Sequence, residues 1–136
     1  MARPKFRITT RTMQARVQQL LARNEDKIKE AMTDAGHFLR GEVQLRTPFK
    51  EGFLTSDVTF AVIPYKHSHA TVLYIPSNAP SAPYAVRMHE ATYNLGPGSR
   101  AKQEKVPVKV GREYLTRAID DNREEIVKAI VDKLKL

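Results

Sequence analysis

Met13, Val17, Leu20 and Leu21 recur at the i, i+4, i+7, i+8 spacing of a single helical stripe, so residues 10–23 read as a short amphipathic helix with Thr10 or Thr12 as its cap. Asn24-Glu25-Asp26 then makes a second helix start, with a capping side chain followed by carboxylates at the positive end of the dipole. Ile28, Met32, Ala35, Leu39, Val43 and Arg46 carry the helical beat until Thr47-Pro48 stops it. Gly36 and Gly41 lie inside this helix, each costing about 1 kcal/mol relative to alanine. Either they admit a close neighbour or they carry no structural load, and the sequence leaves both readings open.

Past Gly52 the period changes to two. Leu54, Ser56, Val58, Phe60 and Val62 alternate with Thr55, Asp57, Thr59, Ala61 and Ile63, a strand pattern that Pro64 is expected to end. After Tyr65-Lys66-His67-Ser68 the run from His69 to Ile75 has the same character, which predicts a hairpin closed by Pro76. Residues 76–83 read as an extended connector, and Tyr84 to Glu90 as a short helix or strand. Residues 91–104, centred on Gly96-Pro97-Gly98, read as a long flexible loop. Val106, Val108 and Val110 alternate and predict a third strand, which Pro107 confines to an edge.

The last helix is expected over about residues 112–133. Leu115, Ala118, Ile119, Ile126, Ala129, Ile130 and Leu134 form its stripe, and Arg117–Asp121 and Glu124–Lys128 are i, i+4 pairs. There is no internal repeat. The order of elements predicts one α+β domain over residues 1–136. A small antiparallel sheet, a hairpin plus an edge strand, is packed by an N-terminal and a C-terminal amphipathic helix.

Composition narrows the function classes. At 136 residues, 41% hydrophobic and 28% charged, the chain is expected to fold around one modest core. No apolar run is long enough to span a bilayer, and the basic N-terminal stretch is not followed by a signal-peptide core, so neither membrane insertion nor secretion is expected. The absence of cysteine excludes disulfides, a thiolate nucleophile and zinc–thiolate sites. The net charge of +8 is uneven: Arg3, Lys5, Arg7, Arg11, Arg16 and Arg23 occupy the first 24 residues with no acidic side chain among them. Residues 1–9 therefore read as a basic arm, an interaction segment or a solvated face.

A search for catalytic groups yields none. His67 and His69 are two apart beside a turn and could share a face, but a third metal ligand at fixed spacing is missing. His37 and His89 are isolated imidazoles, and Ser56-Asp57 lacks a nucleophile-elbow glycine pattern. Gly96-Pro97-Gly98 lacks the lysine–hydroxyl pair of a phosphate loop. No catalytic residue, metal site or cofactor is expected. Nucleic-acid binding has more support, because the acid-free N-terminal segment with Arg100, Lys102, Lys105 and Lys109 could release counterions from phosphate. No recognition motif accompanies these residues, so such binding would be independent of sequence.

Three stretches in order carry a resemblance. Arg46-Thr47-Pro48-Phe49-Lys50-Glu51-Gly52-Phe53-Leu54-Thr55-Ser56 follows an amphipathic helix, Pro83 to Glu90 contains Tyr84-Ala85 and ends in an acidic residue, and Gly111 to Ile119 opens a helix with Tyr114, Leu115 and Ala118. Together they resemble the tail-completion or head–tail joining family of long-tailed bacteriophages, of the lambda minor tail protein Z type. The motif positions are Pro48, Gly52, Leu54, Tyr84, Ala85, Glu90, Tyr114, Leu115 and Ala118. The chain departs from the family where Glu90-Ala91-Thr92 replaces Glu-Phe-Gly, and its Arg-rich first 24 residues lie outside the pattern.

The resemblance implies a structural virion protein at the neck or tail end, made in the host cytoplasm, without enzymatic activity. It implies a homo-oligomeric ring that joins the head connector or adaptor proteins to tail-terminator or tail-tube proteins, with non-specific DNA contact in the lumen. The expected docking residues are Arg3, Lys5 and Arg7 in the arm and Tyr93, Leu95, Gly96, Gly98, Arg100 and Lys102 in the loop. The rival expectation is a small nucleic-acid-binding protein acting through its N-terminal arginines.

Overall fold

A computed structural model describes residues 10–134. The elements are α1 (Thr10–Arg23), α2 (Glu25–Arg46), α3 (Phe53–Asp57), β1 (Thr59–Tyr65), β2 (Ser68–Tyr74), α4 (Ala82–Glu90), α5 (Pro97–Lys105) and α6 (Tyr114–Leu134). The class is α+β, as the pattern predicts, with α2 at the centre. The β1–β2 hairpin lies on one side of α2 and α6 on another.

The stripe of α2 explains this position. Ile28, Ala31, Leu39 and Val43 are buried, and Val43 joins Leu54, Val58, Ala85, Tyr114 and Ala118 in one core cluster. Each fully buried large apolar side chain of this kind contributes about 1.5–3 kcal/mol. Helix α6 runs antiparallel to α2. Asp121 near its start meets Arg46 at 3.0 Å, and Lys133 near its end meets Glu30 at 2.7 Å. The expected pairing of Arg117 with Asp121 is replaced: Asp121 binds Arg46, while Arg117 donates to the Arg112 and Lys109 carbonyls.

The sheet is two-stranded and antiparallel, in a register that pairs Thr59 with Tyr74 and Tyr65 with Ser68. The strand begins later than the alternation suggests. Leu54 and Val58 are four apart as well as even-numbered, so a helical turn buries both, to 3% and 0% exposure. Gly52 starts that turn at φ 85°, a conformation that favours glycine. Pro64 sits inside β1 opposite His69, tolerated because both strands of a two-stranded sheet are edges. Lys66 takes φ 53° at the tight turn.

Gly36 has a packing reason: a β-carbon there would overlap the Phe60 ring, which stacks edge-on against His37. Gly41 faces open space.

Two further expectations are corrected. Residues 97–105, inside the expected loop, are helix α5, with Gly96 at the N-cap and Pro97 in the first turn, where its missing N–H is harmless. The third strand does not form over Val106–Val110. Gln103 occupies the backbone groups a strand would offer, donating to the Val108 carbonyl at 2.7 Å and accepting from the Val110 N–H at 2.7 Å. The segment Tyr84 to Glu90 is helical, within α4, with Pro83 in its first turn. Among the described residues no helix is long and apolar enough to cross a membrane.

Candidate docking groove

Helix α2 ends inside the protein, so its last carbonyls need partners other than water. Thr47 turns the chain outward at ψ 139°, and its N–H donates to the Val43 carbonyl. Gly111 N–H donates to the Arg46 carbonyl at 2.8 Å. Lys102, reaching across from α5, donates to the carbonyl of Gln44, to that of Thr47 at 2.7 Å and to the Thr47 hydroxyl at 3.0 Å. A cation at the negative end of a helix dipole is favourable, but burial still lowers the Lys102 pKa to about 8.

This arrangement fixes the start of the Pro48–Leu54 stretch. Ser99 on α5 accepts from the Phe49 N–H at 2.8 Å and donates to the Phe49 carbonyl at 3.2 Å. A β-carbon on Gly98 would stand 2.5 Å from that carbonyl, so the two main chains meet with only glycine between them. Pro48 to Leu54 forms one wall of a groove, α4 the second through Tyr84, Arg87 and Met88, and Gly96 to Ser99 the end. Its volume is about 620 Å³. Phe49 and Phe53 line it yet remain 40% and 44% exposed. Partial burial, and then the carboxylates of Asp57 and Glu51, raise the Tyr84 phenol above the ordinary tyrosine range.

The motif positions divide between core and groove. Leu54, Ala85, Tyr114 and Ala118 are core residues, and Leu115 packs against them. The Tyr114 hydroxyl donates to the Ala85 carbonyl at 2.6 Å, tying the second motif to the third. Burial, then Tyr93 and Glu90, raise its pKa well above the usual range. Pro48, Gly52, Leu54 and Tyr84 line the groove. Glu90 is exposed and accepts from His89 at 2.7 Å when that ring nitrogen carries a proton.

The expected docking residues that are described have different surroundings. Arg3, Lys5 and Arg7 lie outside the described residues. Tyr93 donates to the Met88 carbonyl at 2.6 Å, and Leu95 lies against Gly111. Gly96 and Gly98 form the groove end, Arg100 is exposed, and Lys102 is engaged with α2 as described. His67 is exposed at the hairpin turn, and no group of three or more potential ligands among the described residues could hold a metal ion.

Two features were not foreseen. Phe49 and Phe53, inside the first motif, are exposed aromatic side chains lining the groove, and their place in a Pro/Gly-flanked turn was the available signal. The outer face of the hairpin is apolar and uncharged: Ile63, Tyr65, Val72 and Tyr74 share it by register and are all exposed. Comparison with protein-family models, with curated proteins and with solved structures gives no match.

Proposed function

We propose that this chain is a structural virion subunit of a long-tailed bacteriophage, assembling as a ring at the neck or tail end and joining the tail to the head connector. The observation that supports the reading is the convergence of the three family-like stretches. Separated along the chain, they meet through Leu54, Ala85, Tyr114 and Ala118 in one core, and the first two also wall a single groove. Motifs that build a core and frame a recess behave as the signature of a fold carrying one docking site. Exposed aromatic side chains in such a recess are the usual anchors of a protein–protein contact. The groove recruits a neighbouring virion protein, and no chemistry is required of it.

The test is genetic and biochemical. A phage lacking the gene should accumulate separate heads and tails, and purified protein added to that extract should restore joined particles. Phe49→Asp with Phe53→Asp, both at exposed positions, should leave the protein folded and abolish the restoration. Normal infectious particles without the gene would refute the reading.

A further inference from the structure

Helix α1 is amphipathic and basic, and among the described residues its side chains from Met13 to Gln19 are left open to solvent. Residues 13–19 are all exposed, with Met13 at 56% and Val17 at 51%. A helix of 14 residues is marginal in water unless its apolar stripe is packed. It joins α2 through Asn24 alone, whereas an antiparallel helical hairpin takes a loop of roughly 2–5 residues. So α1 is not placed to turn back onto the flank of α2, and its exposed stripe is available to a second molecule.

A receptor of the right shape and charge lies on the same protein. Between α2 and α6 is a groove of about 340 Å³, lined by Ala31, Ala35 and Ala129 together with Phe38, Ile126 and Ile130. Small residues along a groove let a helix approach closely, and its larger apolar side chains suit an i, i+4 stripe. The rim is acidic. Asp34 and Glu125 stand on it, with Glu30 adjacent, and its Lys133 is held by Glu30 at 2.7 Å and Asp34 at 3.6 Å. Helix α1 carries Arg11, Arg16 and Arg23 and no acidic residue. The other apolar surfaces lack this match: Glu51 in the Phe49–Phe53 groove is outnumbered by Lys50 and Arg87, and the outer hairpin face has no charge.

We infer that α1 docks into the α2–α6 groove of a second copy of this chain. The contact deepens the ring reading and rests on its self-association. Donor and receptor are different surfaces, so each copy can give one helix and receive another, and such head-to-tail contacts close into rings when the rotation allows.

Sedimentation of the full chain, alone and mixed, tests this. Wild-type protein should form species heavier than a dimer at high concentration. Val17→Asp, which spoils the donor, and Ala129→Arg, which fills the receptor, should each give monomer only. Mixed in equal amounts, the two variants should form a dimer and nothing larger, because one intact helix meets one intact groove; that recovery also shows that both are folded. An oligomer indifferent to Val17→Asp, or one lost on Val72→Asp in the hairpin while Ala129→Arg is tolerated, would overturn the contact and leave the ring standing. A wild-type chain that stays monomeric at its highest soluble concentration would also overturn it. The virion reading falls on gene removal alone, so the two failures are separable.

Discussion

Helices α1 and α6 carry the same kind of apolar stripe, spaced by threes and fours, but they meet opposite ends. In α6, Tyr114, Ala118 and Asn122 are buried against the body of the protein, and Asp121 and Lys133 pair with α2 at both ends of the contact. In α1 the described stripe residues face solvent. Neither periodicity nor propensity separates the two. What separates them is the chain between each helix and α2. A long excursion through the hairpin, α4 and α5 brings α6 back antiparallel, while a single residue holds α1 away. An amphipathic stripe states that a partner exists and not whose chain supplies it.

The largest test of this contrast compares truncations in the two environments. Leu54→Ala should destabilise the monomer by about 2–5 kcal/mol in urea titration, through lost burial and a residual cavity. Val17→Ala, in dilute protein, should stay within about 0.5 kcal/mol. Equal losses would mean that α1 is packed in solution. Within α2, Gly36→Ala should cost about 1–3 kcal/mol by overpacking against Phe60. Gly41→Ala, with nothing near it, should gain up to about 1 kcal/mol in the same titration. A smaller loss, about 1 kcal/mol, is expected for Tyr114→Phe, which leaves the Ala85 carbonyl without its donor.

The smallest effect is a pH dependence. Lys102 is lowered to about 8 in the folded protein from 10.5, so between those values the unfolded chain binds more protons and stability rises with pH. The raised phenols of Tyr84, Tyr93 and Tyr114 act oppositely, favouring the folded state below pH 10 and withdrawing that support above it. The rise should therefore show between about pH 8 and 10 in denaturation midpoints. Lys102→Met, although less stable because the carbonyls of α2 lose their donor, should flatten it. An unchanged slope in that variant would remove Lys102 as its source.

These comparisons also show what was readable in advance. The amphipathic helices, the hairpin and the α+β class follow from periodicity, because burial on one face repeats along the chain. Helix α5 was hidden because Gly-Pro-Gly reads as a breaker, although Pro97 stands where helices begin. The false third strand failed on one side chain, Gln103, whose amide pairs with the segment in place of a neighbouring strand. Local alternation contains no such information. In the groove, the motif residues were legible one by one. Their meeting was not, since it depends on Ser99 and Lys102 binding backbone groups about fifty residues earlier in the chain.

The meeting of Gly98 with the Phe49 carbonyl has an evolutionary consequence. A main-chain contact closes the end of that recess, and main-chain atoms do not mutate. Drift at Phe49, Phe53 or Arg87 can readdress the recess to a different neighbour while that end stays constant. Replacing Gly98 would change the end itself and every fit made to it. Diverging lineages should therefore vary the lips freely and keep the hinge of the jaw.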